Sequence, residues 1–514
     1  MSLLKPPGRF CVQKGAVTRF GAQTAFAVVM LFAMATASPD RAAAQADFST
    51  SGPFDTHNMT LLDQKSPREL GLTDLSIVAD IWGWTDPLNG EEYIIAAADA
   101  HNVPRVIEGA DQAAALYQPI GGVVFARLAG DGEILPLGVW RHPDLAQTDH
   151  GDVQVYANHA YVSGEAPGYG LVIFDLTLLR ERTPCLSPED CAGPALNDLP
   201  DFAVVKTSLS DLKGRQVSIN NSHNLTIDEA SGFMAIHAAD TAKDATQRKR
   251  RALSTKVLKI NPGDPRNPVV LTDLNRYSHD GVITRYHGPD PAHQGKIIMA
   301  LANGYKHFVG LVNVTEFVQN PKNGPSIYQL TEVDGETVGI KKLSRLTTYA
   351  GDEFGHQLAL SEDHRYIFFN DETQMQGALS ARQIVFDIAA LKVPEEIFQC
   401  FYDVETGTHD GYVAGGLLFN SNYTSGLRVV DVGDVEGSLC RDDLLNEVAY
   451  IDTEPRLNSF SDVLQFKLSD DVTLQAFSDF SGTWGNYPFF ASGTIVVSDF
   501  FNGIFAVTLD LPDD

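Results

Sequence analysis

From about residue 77 onward, short runs of β-branched and aromatic residues, four to seven long, alternate with clusters of Gly, Asn, Asp and Pro. No stretch carries a sustained helical period, so the pattern predicts many short strands joined by tight turns. The runs recur in a fixed order. One set ends on an apolar residue followed by Asp or its equivalent: Leu171-Val-Ile-Phe-Asp175, Phe308-Val-Gly-Leu-Val-Asn313, Gln383-Ile-Val-Phe-Asp387, Leu427-Arg-Val-Val-Asp431 and Gly503-Ile-Phe-Ala-Val507. Each follows a second β-rich run, such as Ala160-Tyr-Val-Ser163, Tyr366-Ile-Phe-Phe369 or Thr494-Ile-Val-Val497, and before that comes a polar marker.

The markers are Gly151-Asp152-Val153, Ser222-His223-Asn224, Ser278-His279-Asp280, Gly355-His356-Gln357 and Thr408-His409-Asp410. With Asp80-Ile-Trp-Gly-Trp84 opening the first unit and Thr483-Trp-Gly-Asn486 the last, they define seven units. A repeated four-stranded unit closes best around an axis, because radial closure leaves only short strand edges. The expected fold is an all-β propeller of seven four-stranded blades. The last unit runs out of chain after its third strand, and Met59-Thr-Leu-Leu62 is the expected source of its missing outer strand. Irregular insertions are expected at about 183–200, 242–254, 319–343 and 453–475.

The first 46 residues do not fit the repeat. Lys5, Arg9, Lys14 and Arg19 precede an apolar run from Ala25 to Ala37 and a small-residue end at Ala44-Gln45-Ala46. That order is a secretory signal peptide with cleavage before Asp47. The run of 13 residues is too short to span a bilayer. The expected organisation is a signal at 1–46 and one propeller domain at 47–514, secreted or periplasmic, with no membrane span after cleavage. Removing the signal takes five basic residues and one acidic one, moving the formal charge from −28 to −32. A surface this acidic repels phosphate backbones and argues against nucleic acid as a partner. An extracellular ligand, polymer or protein is expected instead. In an exported chain the four cysteines left read as two disulfides, Cys185 with Cys191 and Cys400 with Cys440.

The strands Leu-Val-Ile-Phe-Asp and Leu-Arg-Val-Val-Asp, the markers Ser-His-Asn, Ser-His-Asp and Thr-His-Asp, and Trp484-Gly-Asn-Tyr-Pro-Phe-Phe-Ala-Ser-Gly493 give the chain a family likeness. From about Asn58 to Leu509 it resembles the secreted LVIVD-repeat proteins of the choice-of-anchor B type. The resemblance implies export and a propeller-like repeat; it brings no catalytic residues with it. The third unit departs from the repeat, with Ser254-Thr-Lys-Val-Leu-Lys-Ile260 where the apolar-Asp strand should fall.

Candidate chemistry centres on His223, His279, His356 and His409, which stand at unit openings 56, 77 and 53 residues apart. Radial geometry would bring all four to one mouth of the channel. Two readings follow. Imidazoles at the start of inner strands can lock neighbouring blades by bonding buried backbone. Alternatively, neutral imidazoles suit zinc, manganese, iron or copper, with Asp280, Gln357 and Asp410 beside them to add or orient ligands. The second reading admits a metal-dependent lyase or hydrolase acting on an extracellular polymer or small acid; the first leaves a binding and interaction module. Weaker candidates are Asp175, Asp387 and Asp431 as turn carboxylates or calcium ligands, Trp82, Trp84 and Trp484 as a sugar-stacking platform, and the pairs Asp352-Glu353 and Asp371-Glu372 for acid/base work. The basic run 248–251 reads as a solvated loop. No nucleophile elbow, zinc-protease helix, P-loop or dinucleotide fingerprint occurs.

Overall fold

The computed structural model describes residues 54–74, 76–99, 121–145, 148, 150–239, 254–274, 276–303, 324–333, 336–346, 355–372, 381–457 and 481–512, together with the strand backbones of 45–46, 106–108, 463–469 and 472–477. The signal segment, the run at 308–313, the basic run at 248–251 and Asp352-Glu353 lie outside these residues.

Seven antiparallel four-stranded sheets form a ring. Blade 1 holds Ile77–Thr85, Glu92–Asp99, Gly122–Leu128 and Ile134–Trp140; blade 2 holds Val153–Tyr156, His159–Val162, Leu171–Asp175 and Ala203–Lys206. Blade 3 holds Leu225–Ile227, Phe233–Ala239, Ser254–Asn261 and Asp264–Asp273; blade 4 holds Asp280–Arg285, Ile297–Asn303, Gly324–Val333 and Glu336–Arg345. Blade 5 holds Gly355–Leu360, Tyr366–Asp371, Arg382–Asp387 and Glu395–Phe401; blade 6 holds Gly411–Ala414, Leu417–Ser421, Leu427–Asp431 and Glu447–Ile451. Blade 7 takes Thr483–Tyr487, Ile495–Asp499 and Gly503–Leu509 from the end of the chain, and Met59–Lys65 from its beginning. That outer strand pairs antiparallel with Gly503–Leu509 and closes the ring, as the early Met59-Thr-Leu-Leu62 run predicts. Each inner strand lies against the inner strands of the two neighbouring blades, all the way round.

The apolar-Asp strand owes its composition to its place. It is the third strand of its blade, covered on both faces by neighbouring blades, so successive side chains enter two different cores. Val172 and Phe174 pack with Phe125 and Trp140 towards blade 1, whereas Leu171 and Ile173 pack with Met234 and Ile236 towards blade 3. Ile384 and Phe386 likewise face blade 4, and Val385 faces blade 6. The terminal aspartates then bond the turns that follow: Asp175, Asp387 and Asp431 accept from the N–H groups of Thr177, Ala389 and Gly433 at 3.1, 2.6 and 2.9 Å. Asp175 and Asp387 also pair with Arg266 and Arg365. These carboxylates are turn-forming, as the first of their two readings has it.

Two expected insertions resolve differently. The expected insertion at 319–343 instead holds the third strand of blade 4, Gly324–Val333, in place of the 308–313 run, and most of the fourth, Glu336–Arg345. The 308–313 run had the right apolar alternation, but register with Ile297–Asn303 is taken by the later segment. In the 453–475 region, Val463–Ser469 and Val472–Phe477 form a hairpin that pairs with Val106–Glu108 as a separate small sheet, which leaves the blade count at seven. Ser254–Asn261 fills the third-strand place of blade 3 despite its divergent sequence. Both expected disulfides are formed, Cys185 with Cys191 and Cys400 with Cys440. Among the described residues no helix is long and apolar enough to cross a membrane.

Candidate metal centre at the channel mouth

The polar markers sit where each blade begins its inner strand, and the backbone there continues the ladder to the second strand. The N–H groups of His223, His279 and His409 donate to the carbonyls of His237, Ala302 and Ser421 at 3.1, 2.8 and 2.8 Å. The carbonyl of His223 accepts from Ser163 Oγ of blade 2 at 2.8 Å, and that of His409 from Asn370 Nδ2 of blade 5 at 2.7 Å. The His223 and His409 markers are thus fixed by their own blade and by the preceding one. Seven-fold closure then points the imidazoles at a common axis.

They meet. Ring centroids are 4.2 Å apart for His223 and His279, 4.0 Å for His279 and His356, and 4.1 Å for His356 and His409. Two residues that the marker pattern did not single out for this role complete the circle. Trp484 of blade 7 lies 3.9 Å from His409, and His150, just ahead of the blade 2 inner strand, lies 5.9 Å from both His223 and Trp484. His150 stands one residue before the Gly151-Asp152-Val153 marker, so its alignment with the other histidines was hidden by reading that marker from Gly151.

Two loop carboxylates reach the ring. Glu165 Oε1 lies 2.8 Å from His223 Nδ1, and Glu372 Oε2 lies 3.8 Å from His356 Nε2. Tyr423 donates its hydroxyl to Glu372 Oε1 at 2.6 Å. Of the sequence pair Asp371-Glu372, Glu372 belongs to the site and Asp371 is bound instead to Arg382 at 3.2 Å. One set of potential ligand atoms, from His279, His356 and Glu372, lies within 4.8 Å of one another; so does a second, from His356, His409 and Asp410. Four-coordinate ligand atoms at bonds of about 2.0–2.2 Å sit about 3.3 Å apart, so either set would have to draw in by roughly an ångström.

Burial sets the protonation state. His279, His356 and His409 are 4, 1 and 2% exposed. Burial, reinforced by neighbouring imidazoles, holds His279 and His356 well below the usual histidine range, and burial takes His409 down to about 3. Burial pushes Glu372 upward against the pull of nearby histidines. The imidazoles are therefore neutral at pH 7, the form that ligates metal.

Beneath the ring lies a second layer, from Asp80, Asp152, Gln357 and Asp410, the last two directly after their marker histidines. Asp80 Oδ2 accepts from Val153 N–H at 3.0 Å, Asp152 Oδ2 accepts from Leu225 N–H, and Gln357 exchanges two bonds with Gly411 at 2.9 and 3.1 Å. These side chains clamp one blade to the next. In blade 7 the place is taken by Gly485, where a Cβ would meet Asp80 Oδ1 at 2.7 Å. Asp410 differs. Its Oδ1, like that of Asp80, has no hydrogen-bond partner among the described residues; what sets it apart is that its carboxylate lies 3.6 Å from His356 Nδ1 and 3.2 Å from His409 Nδ1. The space between the layers admits little more than a water molecule or a single ion.

His237 shows what a purely structural histidine looks like in this fold. Its Nδ1 bonds Ser278 Oγ at 2.7 Å and its Nε2 bonds Thr226 Oγ1 at 2.8 Å, so both nitrogens are used. His409 spends only Nδ1, on the carbonyl of Trp484 at 2.7 Å, while Nε2 finds no hydrogen-bond partner among the described residues. Of the three tryptophans proposed as a sugar platform, Trp82 lines a wide cavity and Trp484 only the small space beneath the ring. Trp84 stacks on Tyr93 and bonds Asn158 Oδ1, and Trp484 belongs to the histidine ring, so no shared platform exists.

No known family profile and no curated protein matches the chain. Among solved structures it is similar to a functionally unknown protein from Desulfotomaculum acetoxidans, at 10% identity and a TM-score of 0.38 over 73% of this chain and 87% of that one. It is also similar to a protein from Lactobacillus plantarum, at 13% identity and a TM-score of 0.37 over 73% and 84%. Neither likeness bears on the chemistry of the channel.

Proposed function

We propose that this chain is an exported β-propeller binding module of the LVIVD-repeat, choice-of-anchor B kind, whose channel mouth holds one divalent transition-metal ion. His279, His356, His409 and Glu372 are the proposed ligands, with His223 beside them held by Glu165. The observation that carries the reading is the contrast between His409 and His237. A metal-ligating histidine ordinarily donates its second nitrogen to a carbonyl or carboxylate, which fixes the tautomer and leaves the other nitrogen bare. His409 has that arrangement, and His237 does not. Nitrogen-rich ligation with one or two carboxylates suits zinc, manganese, iron or copper better than calcium, which takes oxygen ligands.

A metal-dependent lyase or hydrolase is the second reading, and one observation favours it. The Glu165 and His223 side chains are 32 and 14% exposed, so this side of the ring opens to solvent and offers approach to the ion. A bound ion there would polarise a substrate carbonyl or acidify water.

Cobalt(II) substitution tests the ligand set. Protein titrated with cobalt should develop the visible absorption of a nitrogen-ligated site, lost in His356→Ala and in His409→Ala and kept in His237→Ala. Equal spectra in all four proteins would exclude the ring as the site.

A further inference from the structure

The channel has a second mouth, on the face where the inner strands end, and it is chemically unlike the first. It widens into a funnel of about 570 Å³, which reaches Asp280 at its neck. Four aromatic side chains from blades 1, 6 and 7 form one wall. Trp82 lies 5.5 Å from Tyr412 and 5.1 Å from Tyr487, and Phe489 lies 6.3 Å from Trp82 and 6.0 Å from Tyr412. Phe489 is 42% exposed, which no demand of core packing explains. Glu229 stands against this wall, its Oε1 accepting from Trp82 Nε1 at 3.2 Å.

Charge decides what such a funnel holds. Glu229 and Glu362 line it, and among the described residues no lysine or arginine does. The remaining basic type there, His364, is kept neutral by burial, which takes it down to about 4. Anions are repelled from such a cavity. A cation is drawn in and finds π faces whose quadrupole favours it.

We propose that this funnel is a binding site for a small organic cation of the alkylammonium class, its charge set against the faces of Trp82, Tyr412 and Phe489 and balanced by Glu229. The site is separate from the histidine ring and does not require a metal. Carbohydrate stacking on the same wall would make no use of the acidic lining.

Calorimetric titration of the chelator-treated full chain with choline, and with its neutral carbon isostere 3,3-dimethylbutan-1-ol, tests this. Choline should bind saturably, and the isostere at least about tenfold more weakly. Phe489→Ala and Glu229→Gln, both at exposed positions, should each weaken choline roughly three- to thirtyfold, the span of one cation–π or charge contact, while His409→Ala leaves it unchanged. Equal affinity for the isostere, binding of a neutral oligosaccharide in place of choline, or no saturable choline heat in folded protein would overturn the proposal.

Discussion

The Nδ1 of His409 lies 2.7 Å from the carbonyl of Trp484, and its ring lies 3.9 Å from the indole, so the last blade both orients this histidine and covers it. Trp484 contributes through its backbone and its proximity. Of the four tryptophans it is the one in contact with the histidine ring. Binding of copper(II) should therefore quench about a quarter of the tryptophan emission, the share of one residue in four. Trp484→Phe should abolish that quenching while retaining the ion, because the carbonyl remains. Unaltered quenching in Trp484→Phe would place the ion elsewhere.

His237 and His409 should separate stability from metal binding. Removing His237 leaves the hydroxyls of Thr226 and Ser278 short of a buried partner, at a cost of about 1–3 kcal/mol. His237→Ala should melt lower with unchanged metal stoichiometry, and His409→Ala should lose the ion. Chemical denaturation and metal analysis of the two variants measure both effects.

The buried carboxylates give stability a definite pH dependence. Burial pushes Asp80 and Asp499 up to about 7, and raises Asp152, Asp280 and Asp410 well above the ordinary carboxyl range. The folded chain then holds protons that the unfolded chain, titrating near about 3.9, has already released, so stability falls as pH rises. The buried histidines act in the opposite sense, but only below about 6.5, where the unfolded chain takes up protons that His279, His356 and His409 refuse. Above about pH 6.5 the carboxylates act alone. Metal-free protein should melt lower at about pH 8.5 than at about pH 6.5, with a smaller drop in Asp80→Asn. A melting temperature that climbs over this interval would contradict a protonated carboxylate layer.

The disulfides should contribute unequally. Cys400 and Cys440 are 40 residues apart and Cys185 and Cys191 are 6 apart. On chain entropy alone their removal costs about 4 and about 2 kcal/mol respectively. Paired Cys→Ser variants compared in denaturant give the order directly.

Much of this architecture is legible before any coordinates, for a physical reason. A strand covered on both faces is largely apolar, so Leu171-Val-Ile-Phe-Asp175 and its counterparts announce a stacked-blade fold by composition. Repetition of the inner-strand opening likewise exposes His223, His279, His356 and His409, and Asp152 with the residues after the last three histidines, Asp280, Gln357 and Asp410, forms the layer beneath. The carboxylates that finish the site are not legible in that way. Glu165 and Glu372 sit on loops and follow no period; only ring closure brings Glu372 to His356 and Glu165 to His223. Blade 4 fails for a related reason, since two segments with strand-like alternation compete for its third place and the pairing partner, not the pattern, selects Gly324–Val333.

Metal content is the measurement that tests the account most directly. Full-length protein purified without added metal, dialysed and analysed by inductively coupled plasma mass spectrometry should carry one transition-metal ion per chain, absent from the His356→Ala/His409→Ala double variant. Metal-free wild-type protein that takes up no ion on exposure to zinc, manganese, iron or copper, alongside a double variant that merely melts lower, would contradict the account and leave the histidine ring a lock between blades.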